Sequence, residues 1–495
     1  THEVAYHSLL QERRCALHGR ILDTLEGVHG ERASEHVEQM AYHALRAERW
    51  ESAFHYYRQA GRKAVARSAS QEAVSCFEHS LEALRYLPET PLLMEQGIDV
   101  RFELRTALLP LGDIARILRY LQEAEALARN LKDQRRLGWV STYMTIYYLT
   151  SGKSGQALAA GQRAKAIADD LGDEALRVVA DAYIAWTYRD RGNYREAEEL
   201  SWKAAKALKG DRVSERFGQV ALPAVFVRMT LAHCFAEQGR FARGIEIGEE
   251  GLRISESVDQ PFSLMLACLG LSQVYLRKGD MQKAILAQQR ALDLIRTWKI
   301  PTWYPWAAAS FGYTLALTGS VSEGIQYLEE AIGRALSIPF LINHSLWVAW
   351  LSEARLLAGD FEEAAGIADQ ALKLCTDRSE RGHMAWVLRI LGEIFREGRR
   401  TRFDEAEDSY RRSMALGQEM GMSPLVAHCH MGLGKLYSQK GERRRLQEHF
   451  TEAATLFRKM DMGFWAVEAE RWLAKPGRGA ETGSELDTGN GGIAL

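Results

Sequence analysis

Proline is scarce in this chain, ten in 495 residues, and few positions therefore forbid a helix interior. Cysteine is scarcer still. Cys15, Cys76, Cys234, Cys268, Cys375 and Cys429 lie far apart with no Cys-x-x-Cys spacing, which excludes a disulfide framework and a thiolate zinc site. Most fall inside apolar helical stretches and read as small buried thiols in a reducing compartment. Charge of one sign is also lacking, since 63 Lys and Arg against 65 Asp and Glu leave a formal net charge of −2. That balance gives no overall field for nucleic acid or an anionic membrane. No uninterrupted apolar run approaches the ~18 residues of a membrane span, and no signal-peptide pattern opens the chain. A cytoplasmic location is expected.

The chemistry of common enzymes is missing too. No Walker loop is present, and Gly432-Leu433-Gly434-Lys435 has the wrong spacing for one and lies in a predicted helix. Histidines crowd the first eighty residues, but no HExxH accompanies them. His428 and His430 flank Cys429 on a helix, where neighbouring side chains diverge. No nucleophile, base and orienting group can be assembled from spacing. The sequence thus assigns no catalytic residue, no cofactor site and no metal ligand, and the chain is expected not to be an enzyme.

What is present is a period. Turn positions recur at Gly112, Gly152, Gly192, Gly239, Gly279, Gly319 and Gly359, and in weaker form at Thr401 and Gly441, in steps of 40, 40, 47, 40, 40, 40, 42 and 40. Five residues after the glycine stands a small residue (Ala157, Ala197, Gly244, Ala284, Gly324, Ala364), and seven later another (Ala164, Ala204, Gly251, Ala291, Ala331, Ala371). Seven residues is two helical turns, so both lie on one face and let two helices approach closely. Four residues before the glycine an aromatic recurs, at Tyr148, Tyr188, Phe235, Tyr275 and Tyr437. A glycine that caps one helix, followed by a helix with a small-residue face, predicts an all-α solenoid of antiparallel helix pairs. Such a stack presents long surfaces, and binding is its expected use.

The aromatic, the glycine and the two small residues at these spacings resemble the tetratricopeptide repeat, whose fold is a right-handed superhelix of helix pairs. The period of forty exceeds that family's usual 34. Six more residues lengthen each hairpin by about 9 Å of helix. The long-period variant looks like the sensor regions of bacterial signalling ATPases and transcription regulators. Residues 1–30, which open without a methionine on helical sequence, resemble the end of an ATPase-type module cut from something longer. Residues 31–98, with Trp50, Ala53 and Ala60 in the repeat register, resemble hairpins that join such a module to repeats spanning 99–475. This join is similar to one in multidomain adenylate or guanylate cyclases. The Gly-rich residues 476–495 are expected to be a disordered tail.

The resemblance implies a concave face lined by the first helix of each pair, thirteen and six residues before each glycine. Those positions include Trp139, Trp186, Phe226, His233, Gln273, Trp306, Tyr313, Glu353 and Lys435, a groove of mixed aromatic and polar character. The segment TWKIPTWYPW adds Trp298 and Trp303 nearby. The lysine and asparagine clamp by which some family members hold a terminal carboxylate is missing ten residues before the glycines. A basic patch is expected at one edge, from Arg399, Arg400 and Arg402 with Arg443, Arg444 and Arg445, although solvated turns explain the same residues. The expected function is a regulatory scaffold that binds a protein or peptide segment, or a small effector. Alternatives are the regulatory arm of a cyclase or ATP-dependent regulator, and an oligomerisation scaffold. Nucleic acid is disfavoured, and the residues set no oligomeric state.

Overall fold

A computed structural model describes residues 10–29, 35–398 and 401–474. They form twenty-three α-helices and, among the described residues, no strand. The first four are α1 (Gln11–His29), α2 (Val37–Arg46), α3 (Trp50–Ala66) and α4 (Ser70–Leu84). Hairpins one to four follow: α5 (Pro91–Leu108) with α6 (Ile114–Asn130), α7 (Gln134–Thr150) with α8 (Ser154–Leu171), α9 (Glu174–Arg191) with α10 (Tyr194–Ala207), and α11 (Pro223–Gln238) with α12 (Phe241–Ser257). Hairpins five to seven are α13 (Pro261–Lys278) with α14 (Met281–Thr297), α15 (Tyr304–Leu317) with α16 (Val321–Ser337), and α17 (His344–Leu357) with α18 (Phe361–Arg378). Hairpins eight and nine are α19 (Arg381–Glu397) with α20 (Phe403–Met420) and α21 (Ser423–Lys440) with α22 (Arg443–Lys459), and α23 (Gly463–Ala474) closes the stack. The expected end of an upstream module falls partly, and the tail from 476 wholly, outside the described residues.

Within each forty-residue pair a turn comes about every twenty residues. The turn glycines take φ of 71° to 99°, and about twenty residues after several of them a second left-handed residue turns the chain back, at Lys132, Asp259, Lys299, Ser379 and Asp461, with φ of 49° to 59°. Side chains do part of the capping. Asp113 and Asp280 accept the amides of Arg116 and Lys283 at the start of second helices, and Asp133 and Asp173 do the same for first helices.

Small residues set the helix spacing. Ala157, Ala197, Ala284, Ala364, Ala164, Ala291, Ala331 and Ala371 are all completely buried. Hairpin six is the tightest: a Cβ on Gly324 would stand 2.5 Å from the Gly312 carbonyl oxygen. First helices line the inside of a right-handed superhelix and are buried almost all round. In α11, fifteen of sixteen residues are buried, whereas the second helices bury one stripe.

Each of the first hairpins also touches the fifth one beyond it. Thr302 Oγ1 donates to the Leu109 and Pro110 carbonyls at 3.0 and 2.8 Å, the Leu341 amide to Thr150 O at 2.7 Å, and Ser154 Oγ to Arg378 O at 2.6 Å. A Cβ on Gly239 would lie 2.3 Å from Met460 Sδ, and one on Gly192 3.0 Å from the Gly382 backbone nitrogen. Successive superhelical coils therefore rest directly on one another.

The step of 47 has a separate consequence. Its extra residues, between α10 and α11, fold inward. Gln219 is buried, accepts from the Tyr183 hydroxyl at 2.7 Å, and lies 3.4 Å from Arg105 Nη1, while Thr106 Oγ1 donates to Gly218 O at 3.1 Å. The chain thus occupies its own concave face at hairpins one to three.

Candidate functional site

The inner face divides into a filled stretch and an open one. In the filled stretch Trp186, completely buried, lies 4.7 Å from Phe226 and 6.1 Å from both Trp303 and Trp306, ring centre to ring centre. Arg189 Nη1 stands 2.5 Å from His233 Nδ1, and its Nη2 donates to Asn343 Oδ1 at 3.2 Å. Coil on coil, these residues cover one another. Trp186 and Phe226 are interior packing and present no groove wall, while Trp139 packs against Tyr143 near the inward loop. His233 and Gln273, with Trp306, border a crevice of only about 20 Å³.

Toward the C-terminal end the inner face opens into a cavity of about 270 Å³. Tyr313, Glu353 and Lys435 line it, joined by Arg277, Trp386, Arg389, Glu393, His428 and Trp465. Seven helices contribute: α13, α14, α15, α17, α19, α21 and α23. Arg277 Nε donates to Glu237 Oε1 at 2.8 Å, and its guanidinium lies 4.1 Å from the Trp386 ring centre. Arg389 donates to Glu353 Oε1 at 2.5 Å, and Tyr313 donates to Glu353 Oε2 at 2.7 Å. Tyr313 stacks on Trp350 at 4.7 Å with planes 3° apart.

Burial and charge set the ionisation states. His428, whose ring meets Trp465 at 4.6 Å, is held well below its ordinary pKa by burial and then by Arg389 and Arg277, so it is neutral at neutral pH. Burial opposes ionisation of Glu393, but Arg396, Lys435 and Arg389 overcome it and hold the carboxyl at about 2. The Tyr313 hydroxyl is pushed well above 10 by burial and Glu353. The walls are therefore aromatic, with fixed charges of both signs.

Counting from Gly319, Gly359 and Gly441 reaches Tyr313, Glu353, Lys435 and His428, but counting from Thr401 misses Trp386, Arg389 and Glu393. Two extra residues lie in that turn. With the turn position set two residues earlier, these three fall thirteen, ten and six before it, as do His428, Met431 and Lys435 before Gly441.

The expected basic patch is partly outside the described residues, because Arg399 and Arg400 are. Arg402 lies 4.0 Å over the Phe395 ring, Arg444 pairs with Glu448 and Arg445 with Glu442, each at 3.0 Å, and Arg443 is exposed. Arg396 is buried between Glu393 and Glu397. Much of this positive charge is answered locally. Among the described residues no three His, Cys, Asp or Glu side chains converge as a metal site, and no helix is long and apolar enough to cross a membrane.

The tetratricopeptide repeat model matches residues 267–297, which cover most of α13 and all of α14. No curated protein sequence matches the chain. Among solved structures, a Rap protein complexed with competence and sporulation factor aligns with TM-score 0.55 and 13% identity, covering 74% of this chain and 98% of its own. NprR in complex with its cognate peptide NprX aligns with TM-score 0.49 and 13% identity over 72% of this chain and 96% of its own. A signal transduction ATPase with a tetratricopeptide repeat sensor, from Pyrococcus horikoshii, gives TM-score 0.38 and 14% identity over 85% of this chain and 73% of its own. The chain is thus an all-helical protein of tetratricopeptide-like fold. It contains a tetratricopeptide repeat.

Proposed function

We propose that this chain is a non-enzymatic regulatory scaffold that binds the end of a peptide or protein segment, or a small effector, in the cavity on its inner face. The supporting observation is the cavity of about 270 Å³ where inner positions of hairpins five to nine converge with their aromatic and charged side chains. Its volume is near the lower limit for ligand pockets. With the inner face filled at hairpins three and four, the space suits the end of a chain rather than a segment running the full length of the superhelix. The fold-level neighbours with bound peptide or factor agree with this use. A coil that rests on its neighbour can pass occupancy onward by a change in that contact, and an ATPase or nucleotide cyclase module is the output this reading favours.

The test is a selection of random peptides on the full chain, repeated with Leu357→Trp, which fills the cavity wall. Peptides that bind the parent chain and lose affinity at least tenfold in the variant are expected. A selection that returns nothing, or peptides indifferent to the substitution, overturns the reading.

A further inference from the structure

Three cationic side chains at the cavity, Arg277, Arg389 and Lys435, keep donors without a partner among the described residues, and those donors specify the kind of group it takes. Buried donors are almost always paired, so unpaired ones at a cavity wall mark a missing acceptor. Arg277 is only 6% exposed, and its Nη2 has no partner among the described residues. Arg389, 8% exposed, likewise has none for Nε. The Lys435 ammonium lines the same cavity and, among the described residues, is in no ion pair or hydrogen bond, acting on Glu393 only through its charge.

The acceptors opposite them are largely committed. Glu353 receives Arg389 on one oxygen and Tyr313 on the other. Glu237, behind Arg277, receives Arg277 and Gln273 on Oε1 and Trp386 on Oε2. Glu393 and the half-exposed Glu397 at the rim each give one oxygen to Arg396, so the uncommitted acceptors are the second oxygens of these two at the Arg396 side of the cavity. Apolar surface remains beside the free donors, from Leu276, Leu317, Leu356, Leu357 and the Trp386 and Trp465 rings.

Resting on the binding reading above, we infer that the ligand is a carboxylate with an apolar body. Its oxygens take the spare donors of Arg277, Arg389 and Lys435, and its body lies against Trp386 and Trp465. The free C-terminus of a peptide ending in an apolar residue supplies this chemistry, and so does a free carboxylic acid of similar size. Loss of the negative charge removes charge-assisted hydrogen bonds and weakens binding by about tenfold or more.

The experiment uses the full chain and three probes followed by calorimetry and tryptophan fluorescence: acetyl-Ala-Ala-Leu as free acid, the same peptide as C-terminal amide, and 3-phenylpropionate. The free acid, phenylpropionate or both are expected to bind, with the amide at least tenfold weaker than its acid whenever the peptide binds. Lys435→Gln is expected to weaken the acids by a similar factor and leave the amide unchanged. Peptide acid tighter than phenylpropionate identifies a chain end as the source, and the reverse order a free acid. Equal binding of acid and amide overturns the carboxylate inference while the scaffold reading stands. Binding of none of the three also overturns it, and the scaffold reading then falls only if the random-peptide selection is empty too.

Discussion

The indole N–H of Trp386 donates to Glu237 Oε2 at 2.9 Å, joining α19 to α11 across 149 residues of chain. The same carboxylate holds Arg277, whose guanidinium covers the Trp386 ring. One buried acid thus fastens the upper coil to the lower one and shapes the wall of the cavity. Trp386→Phe keeps most of the ring and leaves one oxygen of Glu237 without its donor. The expected loss is about 1–3 kcal/mol, read by urea denaturation, with faster amide exchange in α19. Unchanged stability would mean the bond is dispensable.

Turn glycines should differ in their tolerance of alanine, although all have positive φ. At Gly441 a Cβ meets nothing within 4 Å, so Gly441→Ala carries the left-handed backbone penalty of roughly 1–2 kcal/mol alone. At Gly192 the Cβ would also meet Met420 Sδ at 2.6 Å and the Gly382 backbone. Gly192→Ala should cost about 1–3 kcal/mol more, as overpacking does. Equal melting temperatures for the two variants would contradict the coil-on-coil contact.

Ala291 and Ala371 are completely buried on their small-residue faces. Leucine at either position should destabilise by about 1–3 kcal/mol, as measured by thermal unfolding. The exposed Gln289 in α14 should accept the same change with little effect.

Stability should fall as the solution is acidified below neutrality. Burial, and then Arg378, lowers the pKa of His344 to about 4, and His233 and His428 lie well below 6.5, first through burial. The unfolded chain then binds protons before the folded one. Stability is complete above about 6.5 and declines toward about 4, at up to ~1.4 kcal/mol per pH unit for each wholly buried imidazole. Among the described residues, neither ring nitrogen of His344 has a hydrogen-bond partner. His344→Leu should therefore flatten part of the decline without loss at neutral pH, as shown by denaturation curves between pH 7 and 5.

The helix pairs were legible because glycine marks the left-handed turn and alanine the close helix face, both local requirements. The returning turns were less so, because Lys132, Asp259 and Lys299 adopt the same conformation without glycine's signature. Inner positions were legible by counting, and failed where two residues were added near Thr401. Whether an inner residue would face a cavity or another coil was not legible. That depends on the small rotation between neighbouring pairs, accumulated over five of them, and no local spacing encodes it. Trp186 and Tyr313 occupy the same register position, yet one is sealed inside and the other borders open space.

Met460 pressing on Gly239 changes how this molecule should come apart. In a simple repeat array each module leans on its neighbours and the ends fray independently. Here the final helices also brace modules near the middle, so damage at the C-terminal end should loosen the fourth hairpin as soon as the eighth. Melting should then resemble a single event in a wound spring, and shortening the chain from that end should cost more than the length removed.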